Sequence, residues 1–140
     1  SANGITSDSI SVDAFRRLVE FTFDYLRANP DFVAMIRNEN MASGRFARAL
    51  PMVSDTTLPL LEAIDDLVAR GRAGGAFKTE IDPAQLYVTI LSLCITHLSQ
   101  RHTLSAMFQR DLGDADWLSQ RRAHAVDVVM TYLTAPRPPA

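Results

Sequence analysis

The sequence predicts an all-α fold, a helical bundle of about five main helices plus one or two short ones. Apolar residues recur at steps of three and four along most of the 140-residue chain, the spacing of one helix face. No segment of useful length alternates as a β-strand does. Proline and glycine mark the predicted helix ends. With 47% hydrophobic and 21% charged residues, the chain has the composition of one globular domain.

The first two helices are separated by Asn29-Pro30. Ser11 is the predicted N-cap of the first helix, and Pro30 suits the first turn of the next. The second helix is predicted to end near Gly44, with a further short turn over residues 46–50. The predicted inner faces carry Val12, Phe15, Val19, Phe23 and Leu26 in the first helix, and Phe32, Met35 and Ile36 in the second.

Three more helices and a short one follow. The next long helix is expected to start at Thr56 or Thr57, with Pro59 in its first turn, and to end at the glycines of residues 71–75. Asp82 caps the following helix, which has Pro83 at its first position and runs to about residue 100. A short helix is predicted over 104–108 and a last one over about 115–133. We expect residues 1–11 to be a disordered lead-in or tag remnant, 12–134 the domain, and 135–140 a proline-rich tail.

The sequence contains no recognisable catalytic or metal-binding pattern. His97 and His102 are five residues apart and so lie on different helix faces, whereas two ligands on one helix need a spacing of three or four. A pairing of His97 with distant His124 stays open. The lone Cys94 excludes an internal disulfide and fits a reducing cytoplasm. We therefore predict no cofactor and no metal, and the net charge of −2 does not favour nucleic acid as a partner.

The segment "LYVTILSLCITHLSQRH", residues 86–102, is apolar on nearly every side. Residues 83–100 include no formal charge, yet their hydroxyls, amides and imidazole are too polar for a membrane span. Thr89, Ser92, Thr96 and Ser99 form one stripe along it. A helix at the rim of a monomeric bundle would show a charged face. Either this is a central helix whose hydroxyls bond back to preceding carbonyls, or its second side faces another chain.

The last helix is also apolar on more than one side, which favours the second alternative. A two-fold dimer places the same patch on both subunits, and two helices from each chain would form an intermolecular four-helix bundle. The predicted interface residues are Val88, Ser92, Ile95, Ser99, Val126, Val129, Met130 and Leu133.

Two stretches, "NPDFVAMIRNENMASGRF" and "RGRAGGAFKTEIDPAQLYVTILSLCITHLSQRHTLSAMFQRDL", resemble the C-terminal regulatory domain of TetR-type bacterial transcriptional regulators. The shared features are a long helix ending in Arg-Gly, a Gly-x-Phe turn, and Asp-Pro-x-x-Leu-Tyr opening an apolar helix. The resemblance spans about residues 12–133. It implies a cytoplasmic homodimer that senses an unknown small-molecule effector and binds DNA through an N-terminal helix-turn-helix domain. Only eleven residues precede Val12, so we expect that domain to be absent from this chain.

An effector pocket would lie between helices, apolar with a few polar groups. The same residues also fit plain core or solvated helix ends, and a stand-alone helical interaction module, or less readily a helical enzyme, remains an alternative function. The candidate pocket residues are Phe23, Met35, Leu61, Ile64 and Tyr87 for the wall, and Glu39, Asn40, Arg45, Thr96 and His97 for polar contacts.

Overall fold

The computed structural model describes residues 7–45, 51–77 and 80–136, with the backbone alone described for 7–9 and 51–60. Every regular element in these ranges is an α-helix, which confirms the predicted fold class. None of these helices is both long and apolar enough to cross a membrane. The elements are α1 (Ser7–Ala28), α2 (Pro30–Met41), α3 (Pro51–Ala73), α4 (Pro83–Ser99), α5 (Arg101–Phe108) and α6 (Ala115–Thr134).

Helix α1 lies at the centre of the bundle, with α3, α4 and α6 packed around it. Phe15, Val19 and Phe23 repeat every four residues on one face, and none of them has exposed surface. Phe15 also meets Phe77 edge to face, with ring centroids 5.5 Å apart. The turn after α3 is thereby joined to the core.

Several helix ends follow the local sequence as predicted. The Asp82 carboxylate accepts a hydrogen bond from the Ala84 backbone N–H at 2.9 Å, and Pro83 occupies the first position of α4. Helix α6 begins at Ala115, as predicted. The Asp114 carboxylate, which was not predicted as a cap, accepts from the Trp117 N–H at 3.1 Å. Pro30 begins α2 directly after Asn29. The carboxylates of Asp82 and Asp114 satisfy backbone donors that the first turn of a helix leaves unpaired.

Other predicted boundaries were wrong. Ser11 is not an N-cap, because α1 begins at Ser7 and Ser11 is buried within it. The caps predicted at Thr56 or Thr57 lie inside α3, which already begins at Pro51. Met35, expected on the inner face of α2, is 52% exposed, and Val33 is buried instead. The turn predicted over 46–50 lies outside the described residues.

An ion-pair cluster joins α6 to α1. Arg122 donates from Nε to Asp24 Oδ1 and from Nη2 to Asp24 Oδ2, both at 2.9 Å, and Nη2 lies 3.2 Å from Glu20 Oε2. Hydrogen bonding to Asp24 raises the pKa of Arg122. A planar guanidinium held by two carboxylates has a defined orientation. The cluster therefore lies on the side of α6 that faces α1.

Gly71 is the position where α3 requires the absence of a side chain. A Cβ there would overlap the ring of Phe77, whose N–H donates to the Gly71 carbonyl at 3.1 Å.

We expect Gly71→Ala to lower the free energy of unfolding by about 1–3 kcal/mol, as overpacking does. Alanine favours a helix interior over glycine by about 1 kcal/mol, so propensity alone predicts the opposite sign. Urea unfolding measures the difference. Ala69→Ser, at an exposed site on α3, is the control. Unchanged or increased stability of Gly71→Ala would contradict the contact.

Candidate functional site

The side of α4 that faces away from α1 carries no charge. Gln85, Val88, Ser92, Ile95 and Ser99 follow one another at steps of three and four, so they form one face. Val88 is 57% exposed, Gln85 and Ser92 are exposed, and Ile95 and Ser99 are half-buried. This spacing is the one that helices use when they pack against each other along their length.

The hydroxyls of this part of α4 have hydrogen-bond partners within the helix. Thr89 Oγ1 donates to the Gln85 carbonyl at 3.0 Å, and Ser92 Oγ donates to the Val88 carbonyl at 2.7 Å. Thr89 and Ser92 are both exposed. Hydroxyls that bond to preceding carbonyls were expected for a central helix. These bonds are present, but Thr89 and Ser92 lie at the surface of the chain. Covering these residues would leave no hydroxyl proton unpaired.

One side of α6 continues this surface. Arg121 Nη2 donates to the Leu93 carbonyl at 3.2 Å, which turns the Arg121 side of α6 towards α4. Val128 and Tyr132 follow seven and eleven residues later on that side, and they are 36% and 43% exposed. We call Val88, Ser92, Ile95, Val128 and Tyr132 the outer face of α4 and α6.

The four α6 residues predicted at an interface lie elsewhere. Val126, Val129, Met130 and Leu133 are each at most 6% exposed and belong to the core of this chain. Arg122, which pairs with residues of α1, precedes Val126 by four residues and Val129 by seven, so all three lie on the side of α6 that faces α1. The four α4 residues of the prediction, Val88, Ser92, Ile95 and Ser99, are on or at the edge of the surface.

His97 is a buried polar group in the core. It is 3% exposed, and its ring stacks on Phe23 with centroids 5.0 Å apart and an interplanar angle of 10°. Trp117 lies at 6.0 Å on α6. Among the residues that the structure describes, neither ring nitrogen has a hydrogen-bond partner, and neither does Arg121 Nε. Burial, with a smaller contribution from the Arg121 charge, lowers the pKa of His97 to about 4. The imidazole is therefore neutral at pH 7.

Cys94 is likewise inert as a nucleophile. It has no exposed surface, and burial raises the pKa of its thiol to about 11. A thiol in that state has almost no reactive thiolate at neutral pH. Within the described residues, no three His, Cys, Asp or Glu side chains are grouped to hold a metal ion.

The predicted pocket residues divide into three groups. Phe23, Ile64 and His97 are buried, and of these the structure brings Phe23 and His97 into direct contact. Arg45 lines an open depression of about 400 Å³ just beyond α2, together with Met41, Ala42 and Ser43. The remaining residues are spread over the half-buried and exposed surface: Leu61, Tyr87, Thr96 and Glu39 are half-buried, and Met35 and Asn40 are exposed.

A second cavity, of about 410 Å³, lies where the C-terminal ends of α1 and α4 meet α2 and the start of α6. None of the ten predicted pocket residues is among the described residues that line it. In the sequence its arginines look like solvated residues at helix ends, and no spacing connects them. The lining residues are Leu26, Arg27, Pro30, Val33, Ala34, Arg37, Leu98, Ser99, Arg101, Leu112, Gly113 and Leu118.

Because His97 is buried, its protonation makes the free energy of unfolding depend on pH. Its native pKa, about 4, is below the value of about 6.5 expected in the unfolded chain. The unfolded state therefore takes up the proton first as the pH falls. Protonation of His97 in the unfolded state therefore lowers the free energy of unfolding, by about 3 kcal/mol between pH 6.5 and pH 4. Above about pH 6.5 this loss is absent.

His97→Phe, which keeps a ring against Phe23, should flatten the dependence of unfolding free energy on pH in this window. His102→Gln, at an exposed position, should retain it. Urea unfolding at a series of pH values measures both. A pH dependence of His97→Phe equal to that of the parent chain would show that His97 does not titrate as stated.

Comparison with known proteins places this geometry in a family. The family model described as tetracyclin repressor-like, C-terminal domain, matches residues 12–129. Over 110 residues the chain is 34% identical to the HTH-type transcriptional repressor NicS of Pseudomonas putida strain KT2440. The match covers 76% of this chain and 52% of that protein, so the chain spans about half the length of the curated relative it matches. Because this family model matches most of its length, the chain belongs to the tetracyclin repressor-like (TetR-type) C-terminal domain family.

Proposed function

We propose that this chain is the effector-sensing and dimerisation part of a repressor-type transcriptional regulator. It would act in the cytoplasm and couple the binding of a small molecule to the DNA affinity of an N-terminal helix-turn-helix domain that lies outside this sequence. The observation that carries the proposal is the outer face of α4 and α6, which is partly apolar and has no charge along α4. Family membership supports it.

The outer face is suited to a second copy of the same chain. Exposed apolar groups gathered on one surface gain from being covered. Ser92 already donates its hydroxyl proton within α4, so burying it leaves no donor unpaired. A two-fold axis beside α4 and α6 would bring the same pair of helices from each chain into a four-helix bundle.

Helices α4 and α6 connect the core of one chain to its proposed interface with the second copy. Both α4 and α6 pack on α1 through buried residues and carry the outer face on their other side. An effector that binds better to one arrangement of these helices shifts the population towards it, by no more than the difference in its two affinities. In a dimer that shift changes the relative placement of the two DNA-binding domains.

Dimerisation through the outer face can be tested with a charge at Val88. Val88 is 57% exposed, so Val88→Glu does not disturb the core, but it would bury a carboxylate at the contact with its own copy. We expect the parent chain to be a dimer by size-exclusion chromatography with light scattering. Val88→Glu should weaken association at least roughly tenfold, a change of about 1.4 kcal/mol.

Met107→Glu is the matched control, since Met107 is 68% exposed on α5 and outside the outer face. Val129 is unsuitable, because it has no exposed surface and a charge there would test folding. A parent chain that stays monomeric at micromolar concentration would contradict the dimer. A folded Val88→Glu that dimerises as the parent does would move the interface elsewhere. Stable binding of a different protein by the monomer would favour an interaction module.

A further inference from the structure

The cavity of about 410 Å³ at the ends of α1 and α4 has an apolar floor. Leu26, Val33, Leu112 and Leu118 line it and are each at most 6% exposed, so its floor is continuous with the core. Leu98 completes the floor from α4. A volume of this size lies within the range of pockets that hold small molecules. The floor fits a small apolar body and offers nothing to a strongly hydrated ion.

The rim of the same cavity is positively charged. Arg27 comes from the last turn of α1, Arg37 from α2 and Arg101 from the start of α5. Within the described residues, Arg27 and Arg37 have no ion-pair partner. In a chain with a net charge of −2, three guanidinium groups around one cavity are not a consequence of overall basicity.

Arg101 is held loosely at this rim. Its Nη2 lies 3.6 Å from Asp111 Oδ1, longer than a close charged hydrogen bond, and its side chain is 48% exposed. Gly113, which also lines the cavity, gives the guanidinium room, because a Cβ at that position would overlap it. The third positive charge can therefore turn towards a ligand without breaking a strong contact.

We propose that this cavity binds a small organic carboxylate, with its apolar body on the floor and its carboxylate held by Arg27, Arg37 and Arg101. Guanidinium groups match a carboxylate with paired hydrogen bonds, and an anion relieves the mutual repulsion of three like charges. The ligand would join α1 and α2 to the junction of α4 and α5. Its role as effector rests on the proposed function, whereas its binding can be measured independently.

Calorimetry on the intact chain tests the ligand class with acetate, hexanoate and benzoate, and with the neutral analogues hexanamide and benzamide. Ionic strength is matched throughout, since exposed charges are screened by salt. We expect hexanoate and benzoate to bind at least roughly tenfold more tightly than their amides, because the charged hydrogen bonds are lost, and than acetate, which lacks the body. Inorganic phosphate should bind weakly or not at all.

The double variant Arg27→Gln, Arg37→Gln tests the rim. It should weaken hexanoate and benzoate binding at least roughly tenfold. Arg16→Gln, Arg72→Gln changes the net charge equally at exposed sites outside the cavity and should bind as the parent does. Circular dichroism confirms that each variant is folded, and unfolded variants are replaced by the single substitutions.

Four results would overturn the inference: no binding of any carboxylate at about 1 mM, equal affinity for acids and amides, phosphate binding as tight as benzoate, or equal losses in the two double variants. Light scattering on the same samples separates this outcome from failure of the proposed function. A dimer that binds no carboxylate would remove the ligand assignment alone. A monomer that binds carboxylates through Arg27 and Arg37 would remove the dimer and leave the site.

Discussion

Phe15, Val19 and Phe23 have no exposed surface because α3, α4 and α6 all pack on the face of α1 that carries them. Burial of such side chains contributes roughly 1.5–3 kcal/mol each, so this face is a large part of what holds the helices together. The arrangement also places constraints on the neighbours. A helix packed on α1 has one side committed to the core, and its opposite side must face solvent or another molecule.

That constraint explains the character of α4. Its inner side is continuous with the core through Leu86, Ile90 and Cys94, and its other side carries Val88 and Ser92 at the surface without a charge. The polar groups of α4 have different surroundings on its inner and outer sides. At the surface, Ser92 is bonded to its own helix. His97 is buried against Phe23, and its ring nitrogens have no hydrogen-bond partner in the described part of the chain. The ring stacking and the neutral state make that burial tolerable.

Much of the fold could be predicted from local patterns, and most of the candidate site could not. The period of apolar residues and the Asp82-Pro83 and Asn29-Pro30 signals depend on neighbours in sequence, and these were confirmed. The start of α3 was placed too late, because Pro59 suggested a first turn inside a helix that begins at Pro51. Arg27 and Arg101 meet at one cavity only because the ends of α1 and α4 are adjacent in space.

Local patterns are enough to predict that the chain is helical, where α2, α4 and α6 begin, and that α4 has no charged side, because caps, prolines and apolar spacing act within a few residues. The side of α6 that faces inward depends on contacts between distant parts of the chain. That helix is apolar on more than one side, so its periodicity allows several rotations. Burial of Val126, Val129 and Leu133 in the core selects one of them. On the same side Arg122 pairs with Asp24 and Glu20, which lie 98 and 102 residues earlier in the chain. This choice puts Val129 in the core and leaves Val128 on the outer face.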